Sequence, residues 1–276
     1  MRKSGKKEIN EFLKRTTTNN TIQLDSSVTP NFDIINNLRD VKPNIRIVHL
    51  LLNDDISPER QVKSIKSISQ LASRGIDYVQ VWNNRWTDTP PRETFTNPEN
   101  FDTIPITPAH YGNFRAFADS AASHFSEDLD ALIFCEGDAG LTESIQDTVD
   151  AINTAHRRCK ELNIAYFSFG SRFDLQNKAI DVSGTIEYIE DSRIHMVTKV
   201  VGAQMVMITS NYRKFLLDRF VFHVWTSADM FMNNIFMGKF NIGIFDKPYA
   251  LQFNGISAID EVDRNYVDVE SLGKNI

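Results

Sequence analysis

The 276-residue sequence predicts an α/β fold: a doubly wound, mostly parallel central sheet in the first half and a mixed β/α second half. Three observations carry that expectation. IRIVHLLL (45–52) and LDALIFC (129–135) are apolar runs of strand length, as in strands covered on both faces. Segments with apolar residues at helical spacing alternate with such runs, giving a β–α–β order that calls for right-handed crossovers. After residue 170 the pattern changes to short strands joined by turns.

Along the chain, residues 1–44 are polar and hold no sustained apolar period beyond a short helical stretch near Ile9–Leu13, so they read as a tail or cap. The folded domain spans 45–260, and 261–276 form a C-terminal tail. Strand 45–52 is followed by Ser57 as a cap and Pro58 as a first helical residue. Val62, Ile65, Ile68 and Leu71 then mark the inward face of a helix that Gly75 stops. IDYVQVW (76–82) is the next strand, and 83–105 form a long polar loop of the kind that carries function. Phe114, Phe117, Ala118, Ala121 and Phe125 define a second helix ahead of strand LDALIFC. Ile145, Val149, Ile152, Cys159 and Leu162 define a third, ahead of strand IAYFSF. TIEYIE, RIHMVT and QMVMIT read as short strands, then come helices near 210–218 and 227–237 and strands NIGIF and YALQF.

Composition is that of a globular protein, with 41% hydrophobic and 24% charged residues, and a net charge of −6 gives no global attraction to nucleic acid. The first fifteen residues hold six Lys or Arg against two Glu. They read as a solvated tail, with weak contact to an acidic membrane surface as the alternative. Two cysteines, Cys135 and Cys159, without metal-type spacing, are expected reduced in a cytoplasm-like compartment. No apolar h-region follows the basic start, and no run reaches the roughly 18 apolar residues of a membrane span.

Chemistry concentrates at CEGDAG, where Glu136 and Asp138 flank Gly137 at the end of a buried strand. Ligands of open α/β sheets bind beyond the carboxyl ends of the strands. Two carboxylates there suit Mg²⁺ or Mn²⁺, which prefer oxygen ligands and bridge to phosphates. The alternative is an ordinary turn whose acids face water or pair with Lys or Arg. Gly137 is expected to remove bulk and to allow an unusual backbone angle between them. No GxxxxGK[ST], GxGxxG or GxSxG occurs, and the six histidines form no HExxH pair.

Several segments in order resemble glycosyltransferase family 25, the lipopolysaccharide-biosynthesis type with a GT-A fold. NDDISPER (53–60) is similar to the family's Asn-Leu-Asp-x-x-Pro-Asp/Glu-Arg run, keeping Asn53, Asp55, Pro58 and Arg60. RGIDYVQVW, ITPAHYG, VVGAQMVMITSNYRKFLL, WTSADMFM and ALQFNGIS resemble later passages, and LDALIFCEGDAGL resembles the strand ending in Glu-Asp-Asp, this family's version of the DxD motif. The likeness runs over about 45–260. Asn113 stands at the family's Cys position, Ala116-Phe117 at its Ser-His, and Gly137 at its middle acid.

The resemblance implies a GT-A-like, metal-dependent, inverting transferase that moves a sugar from a nucleotide-sugar to a hydroxyl of a glycan, lipopolysaccharide or protein. It implies Mn²⁺ or Mg²⁺ at Glu136 and Asp138, with Glu136 orienting the ion or the donor ribose. Asn53, Asp55, Arg60 and Gln252 would lie along the donor, and Asp229 would be the base for the acceptor hydroxyl. Ser257 is a further donor-side candidate, and Trp82, Trp86 and Arg92 are acceptor-side candidates in or beside the 83–105 loop. Ordinary readings stand beside these: a cap acid for Asp55, a solvated helix arginine for Arg60, a dipole-complementing charge for Asp229, strand-end polar roles for Gln252 and Ser257, and a hydrophobic turn packed on the core for the 83–105 loop. No nucleic-acid partner is expected. A related nucleotidyltransferase would need a Gly-rich basic loop where NDDISPER is acidic, and a non-catalytic binding domain is the remaining alternative.

Overall fold

In the computed structural model the described residues are 42–55, 57–84, 108–170, 173–174, 179–180, 185–197, 200, 202–220, 228–236, 239–253, 255–256 and 263–264. The chain divides into two compact units, 1–42 and 43–276, and every strand and helix described belongs to the second. The expected helix near Ile9–Leu13, most of the 83–105 loop and the 265–276 end of the C-terminal tail lie outside the described residues.

Strand β1 (Ile45–Leu52) leads into helix α1 (Pro58–Ile68), a 3₁₀ turn (Ser69–Arg74) and β2 (Asp77–Asn83). Helix α2 (Pro108–His124) precedes β3 (Ala131–Glu136) and the short β4 (Ala139–Leu141). Helix α3 (Ile145–Glu161) and β5 (Ile164–Ser168) come next. The later part holds β6 (Phe173–Asp174), β7 (Ala179–Ile180), β8 (Thr185–Ile189), β9 (Ile194–Val197) and β10 (Met205–Thr209). Helices α4 (Arg213–Phe220) and α5 (Ala228–Phe236) lead to β11 (Asn241–Phe245), β12 (Ala250–Gln252), β13 (Gly255–Ile256) and β14 (Asp263–Arg264).

Eight of these strands form one sheet in the order β2-β1-β3-β10-β5-β11-β9-β8. β1 pairs in parallel with β2 and β3, and β11 in parallel with β5. Only β10 and β9 run against the rest, so six of the eight strands point the same way. The sheet is therefore mostly parallel in strand direction, with its antiparallel members in the second half.

Alternation along each strand divides the core in two. Val48 and Leu50 of β1 and Leu132 and Phe134 of β3 join Phe114 and Phe117 of α2, Leu216 of α4 and Phe231 and Phe236 of α5. Ile45 and Ile47 of β1 and Ile133 and Cys135 of β3 pack on the other face with Ile68 of α1 and Val149, Ile152 and Cys159 of α3. Helices thus cover both faces, which is what doubly wound means. Cys135 and Cys159 are both buried and unpaired.

Two local details correct the sequence reading. Val62 is 64% exposed, and the inward face of α1 carries Arg60, Gln61, Ser64 and Ile68. Ser57 does hold the position before α1 but makes no side-chain cap; Asp55 Oδ1 instead accepts from the Ser57 amide at 3.0 Å. Gly75, at φ 78°, ends the 3₁₀ turn in the left-handed region where a side chain would be strained. Ser144 does cap α3, its Oγ accepting from the Asp147 amide at 3.1 Å.

Candidate functional site

Parallel strands β1 and β3 end side by side, with Leu50 opposite Glu136. The chain then turns at Gly137 and Asp138 into β4, whose partner is β12 in antiparallel register, Gln252 opposite Ala139. This small ribbon brings a residue 114 positions away onto the acidic turn. Gln252 Nε2 donates to Asp138 Oδ2 at 2.6 Å, and the Phe253 amide donates to the Asp138 carbonyl at 2.8 Å.

From α1, Arg60 Nη2 lies 3.1 Å from the same Asp138 Oδ2. Arg60 is only 5% exposed, and its Nε and Nη1 are buried without an acceptor. Asp138 Oδ1 is likewise buried without a hydrogen-bond partner. Burial pushes the Asp138 carboxyl above its ordinary value, the Arg60 charge and the Gln252 amide pull it back, and the charge of Asp55 adds to the upward push. The turn acid is thus paired with an arginine, one of the alternatives open from sequence.

Glu136 faces the other side of the sheet, towards α2, where Asn113 Nδ2 donates to its Oε1 at 3.0 Å. Gln61, next to Arg60, clamps the end of β1: its Oε1 accepts from the Leu52 amide at 2.7 Å and its Nε2 donates to the Leu52 carbonyl at 2.8 Å. Asn53 is exposed just beyond, its amide donating to the Asn83 carbonyl at 2.8 Å and its Nδ2 to Asn84 Oδ1 at 3.0 Å. Gly137 is not in the left-handed region that Gly75 and Gly202 occupy. Its role is space, since a Cβ there would come within 2.7 Å of the Leu50 carbonyl oxygen.

Structure therefore gathers Asp55, Arg60 and Gln252 about Asp138, with Glu136 at the end of β3 on the α2 side and Asn53 beyond the end of β1. Asp229 lies in the first turn of α5, and its side chain is outside the described ones, as are Ser257, Trp86 and Arg92. Trp82 is 47% exposed on the edge strand β2 and donates to Gln80 Oε1 at 3.3 Å. Among the described residues no three or more His, Cys, Asp or Glu side chains surround one cation position. The orphaned Asp138 Oδ1 can offer one oxygen to a hard cation that draws most of its ligands from phosphate and water, the habit of Mg²⁺. Glu136, at the neighbouring strand end, would have to turn from Asn113 to add a second.

Three solved structures are similar to this chain. One is a glycosyltransferase involved in the glycosylation of the major capsid of PBCV-1, with 9% identity over 63% of this chain and 65% of that chain and a TM-score of 0.33. Another is the WbbM bifunctional glycosyltransferase, with 9% identity over 76% of this chain and 39% of that one and a TM-score of 0.37. A third is an active-site mutant of LgtC, with 12% identity over 72% and 71% and a TM-score of 0.32. The chain thus spans less than two thirds of the first two. No protein-family model and no curated protein matches it. Likeness at this level transfers no residue roles.

Behind the acidic turn lies a polar cluster that sequence reasoning missed. His49, fully buried on β1, places Nδ1 at 2.8 Å from the Tyr78 hydroxyl and Nε2 at 3.0 Å from Ser64 Oγ. Ser64 Oγ donates in turn to the Ala139 carbonyl at 2.5 Å, tying α1 to the first residue of β4. Burial lowers the His49 pKa from 6.5 to about 4. Above 6.5 the imidazole is neutral in both folded and unfolded chains. Between 6.5 and about 4 only the unfolded chain takes the proton, so stability falls as pH falls. The expected slope from this group is about 1.4 kcal/mol per pH unit inside that window. His156 and His195, also lowered by burial, act in the same direction. Urea unfolding at pH 7.5, 6.5 and 5.5 should therefore show a steeper loss for the wild type than for His49→Gln; equal slopes would remove His49 from the account.

Proposed function

We propose that this chain is a glycosyltransferase of GT-A-like fold, moving a sugar from a nucleotide-sugar donor to a hydroxyl of a glycan, lipopolysaccharide or protein. The observation that supports it best is the gathering of Asp138, Arg60 and Gln252 on one turn, next to Glu136 at the carboxyl ends of parallel strands. No helix among the described residues is long and apolar enough to cross a membrane.

In this reading Glu136 and Asp138 hold Mg²⁺ or Mn²⁺. Such an ion, when bound, stabilises charge on the departing nucleoside diphosphate as a Lewis acid. Asp138 offers its unpartnered Oδ1 while Gln252 and Arg60 fix Oδ2. Asn113 orients Glu136, and the Arg60 guanidinium adds positive charge where the diphosphate gathers. Asn53 and Asp55 flank the nucleotide beyond β1. Asp229 is the base that takes the acceptor hydroxyl's proton in an inverting transfer.

A donor site of this kind predicts a shift in thermal unfolding with one of UDP, GDP, ADP or CDP, dependent on Mn²⁺. At 100 times its dissociation constant a ligand stabilises by about 2.7 kcal/mol. Sugar release and transfer from the matching nucleotide-sugars would then establish turnover. No shift with any of the four, in a folded protein, would defeat the donor site. Nucleotide binding without turnover on any sugar or acceptor would favour a binding domain without catalysis, a reading with which the pre-formed Arg60–Asp138 pair is also consistent.

A further inference from the structure

We propose that Arg60 is the built-in counter-cation of this site, and that it makes retention of the divalent ion conditional on a diphosphate bound beside it. This rests on the donor-site reading and adds an order of assembly to it.

Arg60 is a buried cation that is only partly satisfied. A guanidinium carries five N–H donors and cannot shed its charge. Arg60 spends one nitrogen on Asp138 Oδ2, while Nε and Nη1 are buried and have no acceptor. Buried donors are nearly always paired, so two orphans on one side chain leave Arg60 with donors to give to a further anion. Asp138 is similarly half used. Oδ2 receives both Arg60 and Gln252, and only Oδ1 is left for a metal. An ion on Oδ1 would then share one carboxylate with a fixed positive charge, and two cations on one acid repel at short range.

Ligand supply points the same way. Glu136 is already engaged by Asn113 through Oε1, and no third His, Cys, Asp or Glu is arranged with the pair among the described residues. A divalent ion entering alone has few protein oxygens and faces Arg60. A diphosphate changes both terms, because it supplies oxygens to the ion and negative charge that both cations can face. Binding of the two is then coupled, and by linkage each strengthens the other by the same factor.

Mn²⁺ binding measured by electron paramagnetic resonance, which needs no turnover, tests this. In wild type, Mn²⁺ alone should bind weakly and tighten at least tenfold with the matching nucleoside diphosphate. Arg60→Met should bind Mn²⁺ alone at least tenfold tighter than wild type and lose most of the coupling. Arg60→Lys, which keeps the charge, should stay close to wild type in the Mn²⁺-alone arm and guards against a fold change in the methionine variant. Equal Mn²⁺ affinity in wild type and Arg60→Met, or weaker binding in the variant, overturns the inference. A nucleotide that binds without tightening Mn²⁺ overturns it too but leaves the donor site standing. If none of UDP, GDP, ADP and CDP binds, with or without Mn²⁺, coupling and donor site fail together.

Discussion

Asp138→Ala should lose the Mn²⁺-dependent stabilisation by nucleoside diphosphate and also weaken the fold by about 3–5 kcal/mol, the range for breaking a buried ion pair from one side. The cost comes chiefly from what is left behind. Arg60 already has two orphaned nitrogens, and removing Asp138 strands the third along with the Gln252 amide. Both side chains are mostly buried, at 4% and 15% exposed, so water replaces the carboxylate only in part. Asp138→Asn separates stability from chemistry. Its carbonyl still accepts from Arg60 and Gln252, so it should unfold closer to wild type in urea, yet it lacks the charge that a cation needs. Loss of the Mn²⁺-dependent shift in both variants, with Asn the more stable, is the expected result. An asparagine variant that kept the full shift would remove Asp138 from the metal and return it to the role of a structural partner for Arg60. Replacing the pair together, as Arg60→Met with Asp138→Leu, should recover much of the lost stability, because apolar substitutes for a whole buried pair are often neutral or better.

How far the sequence could be read depends on which forces are local. Strand runs such as 45–52 and 131–136 declare themselves because both faces are apolar, and the Phe114–Phe117–Ala121 stripe does so because a helix repeats at fixed spacing. The inward face of α1 is different. Hydrophobic spacing selects Val62, Ile65, Ile68 and Leu71, but Val62 is in water and Arg60, Gln61 and Ser64 are inside. Those three are buried because each meets a polar partner brought by another element: Asp138, the backbone of Leu52, and His49 with the Ala139 carbonyl. No pattern within α1 contains that information. Asn113 is hidden for the same reason, since its partner Glu136 comes from a strand 23 residues on. The contact of Gln252 with Asp138 depends on the register of β12 with β4, two strands of three residues each. Motif order pointed to this turn, and the contacts about it are tertiary.

Gly137→Asp offers the sharpest separation between motif and molecule. By resemblance, an acid in the middle of the turn would complete Glu-Asp-Asp, so this substitution ought to improve the site. Local geometry predicts the opposite. The turn passes so close to β1 that a Cβ at this position would lie 2.7 Å from the Leu50 carbonyl oxygen, 3.2 Å from Gln61 Oε1 and 3.6 Å from Leu51 Cα. Two of these neighbours are backbone atoms of a central strand and cannot swing aside. Overpacking of this kind costs about 1–3 kcal/mol. Aspartate adds an electrostatic penalty, because the two nearest atoms are oxygens and offer its carboxylate no proton. Relief would have to come from moving the turn, which carries Glu136 away from Asn113 and Asp138 away from Arg60 and Gln252. The expected order of stability in urea is therefore wild type, then Gly137→Ala, then Gly137→Asp. The Mn²⁺-dependent nucleotide shift should fall in both variants and be lost with aspartate. Wild-type stability together with stronger metal binding in Gly137→Asp would mean that the turn yields freely, and that the glycine marks a missing acid instead of a close approach.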